Sequence, residues 1–399
     1  MILPNEFLLA AACCRWPPSE RRDAAIRACA AQPIDWDKFL KVVDRQRVAG
    51  LAREGLRSAG VQMPAASAKR LALKAAHVAQ QGLQQASEAL RLQTALDKEA
   101  IAAVFVKGTT LGLLAYDQIG IKQAWDIDML VVPKDVRRVC EILAAAGYRR
   151  TMPPESLADQ RFFAWTEFAH ESLFEKDGTG TNLELHWRLS GNRALLAGVT
   201  AATSSRLVEV LPGRALRTLA DEDLFSFLCL HGAHHAWSRL KWIGDLAAWL
   251  SAKPAAEVER LYRRAKADGL GRAAAQALLL SERLFALPLP AELCAELGQD
   301  RVTRWLVAIA LDAMAGDADS RQTDDRLMGN LKIEFSHFLL ATHARAWLRE
   351  LTSKSIGWSD FQQIALPRPL FFLYPVLRIP SWIWRRATHR LRQSRQPAA

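Results

Sequence analysis

The run IAAVFVKGTTLGLLAY (residues 101–116), followed after eight residues by WDIDMLVV (125–132), decides the fold. The first run opens with β-branched and aromatic residues and stops at Gly108, which reads as a short buried strand. Thr109 to Tyr116 suits a short helix, with Thr109 or Thr110 near its N-cap. Residues 125–132 read as a second strand. Alternate residues of a strand share a face, so Asp126 and Asp128 project together while Ile127 and Met129 pack behind. Pro133 and Asp135 then open a helix through Ala146, which Gly147 ends.

Working outward, two further strands are expected at Phe162–Phe174 and Leu183–Leu189, separated by the turn-rich KDGTGTN (176–182). Residues 101–190 therefore form a compact mixed unit, within an α/β core taken as 101–215. The flanks are helical. Ala68 to Ala100 is rich in Ala, Leu, Gln, Lys and Glu, with apolar residues three and four apart (Leu71, Leu73, Ala76, Val78, Leu83, Leu90, Leu92, Leu96). Asp221–Leu230, Ala255–Lys266, Arg272–Phe285 and Arg301–Ala315 are amphipathic segments of a helical domain over 216–365. The fold class is α+β: a small mixed-sheet core between mainly helical N-terminal (1–100) and C-terminal regions. A Pro-, aromatic- and Arg-rich tail follows over 366–399.

Composition narrows the function classes. The chain has 399 residues, 50 % hydrophobic and 24 % charged, which excludes a wholly disordered or fibrous protein. No stretch reaches the roughly 18 uninterrupted apolar residues of a membrane span. The opening MILPNEFLLAAACCRW lacks a basic n-region, so no secretory signal is expected. Six Cys, with Cys13 and Cys14 adjacent, make no disulfide framework and no C-x-x-C pair, so a reducing, cytoplasmic setting is expected. Lys plus Arg is 53 against 42 for Asp plus Glu, a net +11. Leu366–Ala399 holds seven Arg and no acid, so much of that excess is a basic tail on a nearly balanced body. Trp382 and Trp384 beside Arg385 and Arg386 suit core packing with a frayed end, peripheral contact with an anionic membrane, or RNA.

The chemistry lies in three pieces taken in order. Two carboxylates at D-x-D spacing suit a hard divalent ion that keeps positions for a phosphate substrate. VKGTTL places a Gly and hydroxyl residues where a strand enters a helix, so backbone N–H groups can approach a phosphate. In NLELHW (182–187), Glu184 and His186 share one strand face while Leu183, Leu185 and Trp187 share the other. Each piece alone also reads as ordinary structure: a solvated strand face, a turn with a helix cap, an exposed or paired acid. His231, His234 and His235 lie on a helix. His231 and His235, four apart, fit either a zinc pair or a polar seam between helix and core, and the seam is favoured. There is no phosphate-loop motif, no G-x-G-x-x-G and no G-x-S-x-G elbow.

The order of these pieces is the layout of the nucleotidyltransferase superfamily. VKGTTLGLLAY…WDIDMLV…FAHESLFE…LELHWRL…LHGAHHAWSRLKWIGDLAAWL resembles a bacterial family of uncharacterised nucleotidyltransferases, from about Val104 to Leu250. The resemblance implies that Gly108 and Thr109 sit where the superfamily binds triphosphate, with Thr109 replacing the usual Gly or Ser. Asp126 and Asp128 fall at the metal-binding pair. Glu184 is the best candidate for the third carboxylate, with Glu171 and Glu175 as nearby alternatives. Lys122 stands near a position where relatives carry Arg. Lys107 either approaches the triphosphate or pairs with an aspartate. His186, His231, His235, Lys241 and Asp245 would wall the cleft. The implied reaction transfers a nucleoside monophosphate from an NTP to an unidentified hydroxyl on a small molecule, protein or RNA, releasing pyrophosphate with two Mg²⁺ (or Mn²⁺) ions. The alternative is a catalytically silent nucleotide-binding or assembly protein on the same fold.

Overall fold

The strand assignments that matter most hold. In the computed structural model, β1 (Ala103–Phe105) and β2 (Asp126–Val131) pair antiparallel. The structure describes residues 3–316 except 158 and 204, two helices over 327–354, and residues 361, 366, 370, 373, 374, 376 and 377. The basic tail, with Trp382, Trp384 and the Arg run that follows, thus lies almost wholly outside the described residues.

Three more strands complete the sheet: β3 (Tyr148–Met152), β4 (Glu171–Lys176) and β5 (Asn182–His186). The order is β1-β2-β5-β4-β3. β2 and β5 run parallel and the other neighbours antiparallel, so the sheet is mixed. A separate hairpin, β6 (Ser205–Leu211) and β7 (Arg214–Leu219), turns through Pro212 and Gly213.

The period-two pattern explains the layering. Ile127, Met129, Val131, Leu183 and Leu185 point to one face, where they meet Leu90, Leu92 and Leu96 of the Ala65–Lys98 helix and Val139 and Leu143 of the Val136–Ala145 helix. Each such fully buried side chain contributes about 1.5–3 kcal/mol. The opposite face carries Asp126, Asp128, Glu184 and His186 and looks toward the helical body. That body has a core of its own, in which the N-terminal helices (Phe7, Leu9, Phe39) pack with the later ones (Phe225, Leu246, Leu278, Leu306). The Ala65–Lys98 helix reaches both cores: Leu71 and Val78 enter the helical one, Leu90 to Leu96 the sheet's.

Several expectations need correction. Phe162–Phe174 is not one strand. Asp159–Trp165 is helical, and the strand begins only at Glu171. Phe162 and Trp165, three apart, are both buried, as a helix allows. Tyr148–Met152 adds an edge strand that the sequence reading left out, as it did the β6–β7 hairpin. Leu73 and Leu83 lie outside the buried stripe of the long helix, at 63 % and 59 % exposure. Among the described residues, no helix is long and apolar enough to cross a membrane.

Candidate active site

The strand-to-helix turn sets the first wall. Gly108 caps the Thr109–Tyr116 helix with φ 64° and ψ −122°, a backbone state open to glycine and costly for residues with a Cβ. Thr109 is thus the first helical residue and makes no side-chain cap. The Thr110 hydroxyl turns back instead, donating to the Phe105 carbonyl at 2.9 Å and reaching the Lys107 carbonyl at 3.1 Å.

The β2–β5 register builds the floor. Asp126 pairs with Asn182 and Asp128 with Glu184, so the two acids stand side by side on parallel strands. On the next strand Glu171 lies opposite His186. Lys107 Nζ is 2.7 Å from Asp128 Oδ1. His186 Nε2 lies 3.4 Å from Asp128 and 3.5 Å from Glu184, and its Nδ1 lies 3.3 Å from Glu171. Donor atoms of Asp128, Glu184 and His186 all fall within 4.8 Å of one another. Lys107 thus pairs with Asp128, the contact that one of its two readings expects.

Charge follows from this crowding. Burial opposes ionisation of Asp128, but the Lys107 ammonium and His186 override it and hold its carboxyl well below the usual range. Burial and the neighbouring Asp128 push Glu184 up to about 7. His186 is raised to about 10: burial works against the imidazolium, and Asp128 and Glu184 outweigh it. Burial likewise works against the Lys107 charge, and Asp128 reverses that and raises its pKa. Glu171 is kept low by His186 and His170 in spite of burial, while burial lowers His170.

A cavity of about 490 Å³ opens over this floor. Its helical wall comes from Phe227, His231 and His235 on the Asp221–His234 helix and its cap, and from Lys241, Trp242 and Asp245 on the Leu240–Ser251 helix. The His231 and His235 rings lie 4.7 Å apart, and Trp242 stacks on His235 at 4.9 Å. Burial drives His231 well below its ordinary value and His235 to about 4, so both are neutral. The compact donor group among the described residues does not include them, and the pair forms an aromatic-polar seam. Gly232, between them, has no room for a Cβ, which would fall 2.3 Å from the Trp237 ring.

The remaining residues take distinct places. Lys122 lines the cavity, but its ammonium sits 2.9 Å from Asp245 Oδ2, and Tyr116 donates its hydroxyl to Oδ1 of the same carboxylate at 2.9 Å. Gly108 and Asp126 line the cavity beside the floor. Sequence reasoning missed Arg47, which reaches the cavity from the N-terminal helices, and Asn192 and Glu350, which meet at 2.8 Å at its edge. Arg47 carries no local signal, since about eighty residues separate it from Asp126. Asn192 follows the quoted LELHWRL run closely enough that an extended reading would have reached it.

A family model described as "uncharacterised nucleotidyltransferase" matches residues 32–286, well over half of the 399 residues. The chain belongs to that family. The matched stretch extends beyond Val104–Leu250 on both sides, so for this nucleotidyltransferase family member Arg47 and the Gly271–Phe285 helix lie inside the family unit along with the sheet. Neither the curated proteins nor the solved structures searched contain a match.

Proposed function

We propose that this chain is a divalent-cation-dependent nucleotidyltransferase that moves a nucleoside monophosphate from an NTP to a hydroxyl acceptor and releases pyrophosphate. The observation that carries the reading is the parallel β2–β5 register, which sets Glu184 beside Asp128 on the floor of a cavity that Asp126 also lines. Membership of the nucleotidyltransferase family supports the reaction class.

The donor set fits a divalent ion. Asp128 Oδ2 is buried with no hydrogen-bond partner among the described residues. Glu184 resists ionisation even with Lys107 and His186 close by. Carboxylate oxygens that crowd one another and lack donors are satisfied by a hard cation. Asp126 and Asp128 would hold Mg²⁺ or Mn²⁺, and Glu184 would either complete that site or serve as base; His186 would add a nitrogen only after losing its proton. Such an ion, when bound, neutralises charge on the α-phosphate and on departing pyrophosphate.

The chain's own groups do the rest. The acceptor oxygen attacks the α-phosphorus in line; the new O–P bond forms while the bond to the β-phosphate bridging oxygen breaks. Where Glu184 does not hold the ion, its place beside Asp128 lets it take the proton of the attacking hydroxyl. Lys107 keeps Asp128 ionised. Phe227 and Leu228 give the cavity an apolar strip beside the acidic floor.

One observation favours the silent alternative. The Lys107 ammonium already neutralises Asp128 from within the protein, as a nucleotide-binding or assembly protein on this fold would arrange it. The test is turnover and binding of the four NTPs with Mg²⁺ or Mn²⁺, comparing wild type with the Asp126→Asn/Asp128→Asn double variant. Pyrophosphate release with label on an acceptor, both lost in the variant, is the expected result. Metal-dependent NTP binding without release, across small-molecule, protein and RNA acceptors, supports the silent reading. A folded wild type that binds no NTP overturns the transferase and the nucleotide-binding readings and leaves an assembly role on the inherited fold.

A further inference from the structure

The residues that the resemblance nominates for phosphate binding are mostly engaged elsewhere. Lys107 pairs with Asp128 at 2.7 Å and Lys122 with Asp245 at 2.9 Å, and the Thr110 hydroxyl is committed to two backbone carbonyls. Two cations lining the same cavity are not engaged in this way. Among the described residues, no carboxylate lies within 4.0 Å of the charged nitrogens of Arg47 or Lys241.

Each is held in place by other means. Arg47 caps the Trp36–Gln46 helix in the left-handed region, at φ 57°, and lays its guanidinium over the Trp125 ring at 4.5 Å. Stacking fixes the plane of the fork and leaves its N–H edges for an anion. Lys241 is 8 % exposed, and its ammonium reaches the Gln123 carbonyl at a long 3.4 Å. Burial and neighbouring Lys122 push Lys241 down to about 7, and burial and Arg239 push Arg47 down to about 10. Arg47 stacks on Trp125 and Lys241 reaches the Gln123 carbonyl, so both stand against the segment that leads into Asp126. A buried amine without an anion is costly, and a phosphate oxygen would remove that cost.

We propose that Arg47 and Lys241 form a polyphosphate-binding wall that receives the β- and γ-phosphates of an NTP, and then the leaving pyrophosphate, beside Asp126. Arg47 supplies a two-pronged contact and Lys241 a point charge. The wall deepens the nucleotidyltransferase reading and rests on it for the identity of the ligand as an NTP. It is separable from that reading by experiment, because polyphosphate binding can be measured without transfer.

The experiment is calorimetric titration of the full chain with inorganic tripolyphosphate, without metal and with Mg²⁺, alongside thermal melts. Wild type binds. Lys241→Met and Arg47→Met each weaken binding at least tenfold, while Lys241→Arg keeps most of it. Lys241→Met melts at the same temperature or higher, because it exchanges a buried unpaired amine for an apolar chain of similar length. Wild-type affinity in both Met variants overturns the wall, as does a wild type that binds no tripolyphosphate under either condition. A Lys241→Met protein that melts lower and binds normally marks a structural lysine and overturns it too. If NTP turnover depends on Asp126 and Asp128 but the Met variants leave KM for NTP unchanged, the wall fails and the transferase reading stands. If wild type turns over no NTP while the Met variants still lose tripolyphosphate, the wall stands and the transferase reading fails.

Discussion

Two Lys–Asp pairs line one cavity, each with a buried aspartate, and they are built differently. Lys122–Asp245 is closed. One carboxylate oxygen takes the ammonium at 2.9 Å and the other takes the Tyr116 hydroxyl at 2.9 Å. Lys107–Asp128 is open. Its ammonium contact is as short, at 2.7 Å, but Oδ2 has no hydrogen-bond partner among the described residues, and Glu184 and His186 crowd the same carboxylate. A satisfied buried pair holds elements together; a half-satisfied one is a cost that structure alone does not explain. Asp245 ties the Leu240–Ser251 helix to the loop and helix that follow β1, and Asp128 stands on the sheet with capacity left over.

The sharpest way to break this contrast is to neutralise each aspartate. On the proposed transferase reading, Asp128→Asn should lower pyrophosphate release from NTP by on the order of 10³-fold, because it would remove a carboxylate that holds the cation. Its melting temperature should fall as well, because Lys107 and His186 lose the anion that offsets their burial, so loss of activity at temperatures where the variant stays folded is the distinguishing readout. Asp245→Ala should act on stability alone. It leaves Lys122 buried without its anion and should cost about 3–5 kcal/mol of stability by denaturant titration. If Asp245→Ala is as stable as wild type, the closed pair is not structural. A smaller effect sharpens the same point. Tyr116→Phe removes one hydrogen bond to Asp245 and should cost about 1–2 kcal/mol. The Lys122→Met/Asp245→Leu double variant should recover most of the Asp245→Ala loss, since replacing both partners leaves no bare charge.

The contrast also marks what a linear reading can see. Asp126, Asp128 and Glu184 were legible because period-two geometry and the strand–Gly–helix order are local, and the structure sets those residues on one face. Ile127, Met129, Leu183 and Leu185 were legible as the back face for the same reason. The partner of each lysine was not. Lys122 finds Asp245 across 123 positions of sequence, and Lys107 meets Asp128 because β1 and β2 are neighbours, which no spacing rule states. Arg47 is the extreme case, a helix-capping residue brought to the cavity by packing of the N-terminal helices. Phe162–Phe174 misled because aromatic residues suit a strand and a buried helix face alike. His186 read as a wall residue, and only the register with Glu171 and Asp128 gives it three acidic neighbours.

Away from the cavity, a third charged cluster extends the comparison at lower energy. Glu88 on the Ala65–Lys98 helix accepts from Arg91 at 2.6 Å and from Tyr148 and Lys176 at 2.9 Å, so it is closed in the manner of Asp245 and clamps the helix to β3 and β4. Burial opposes its charge, but the hydrogen bonds from Arg91, Lys176 and Tyr148 prevail and lower its pKa from 4.5 to about 2. The folded-state value lies below the unfolded one, so the contribution is fully present above about pH 4.5 and is lost as pH falls through about 2. Allowing for screening at this partly open position, it amounts to about 1–2 kcal/mol. Glu88→Gln should therefore be less stable than wild type by that amount at pH 6, and the gap should close between pH 4.5 and pH 2 in matched denaturant titrations. A gap that stays constant across that window would mean that the carboxylate's shape, rather than its charge, holds the clamp, and would separate this cluster from the Asp245 pair it resembles.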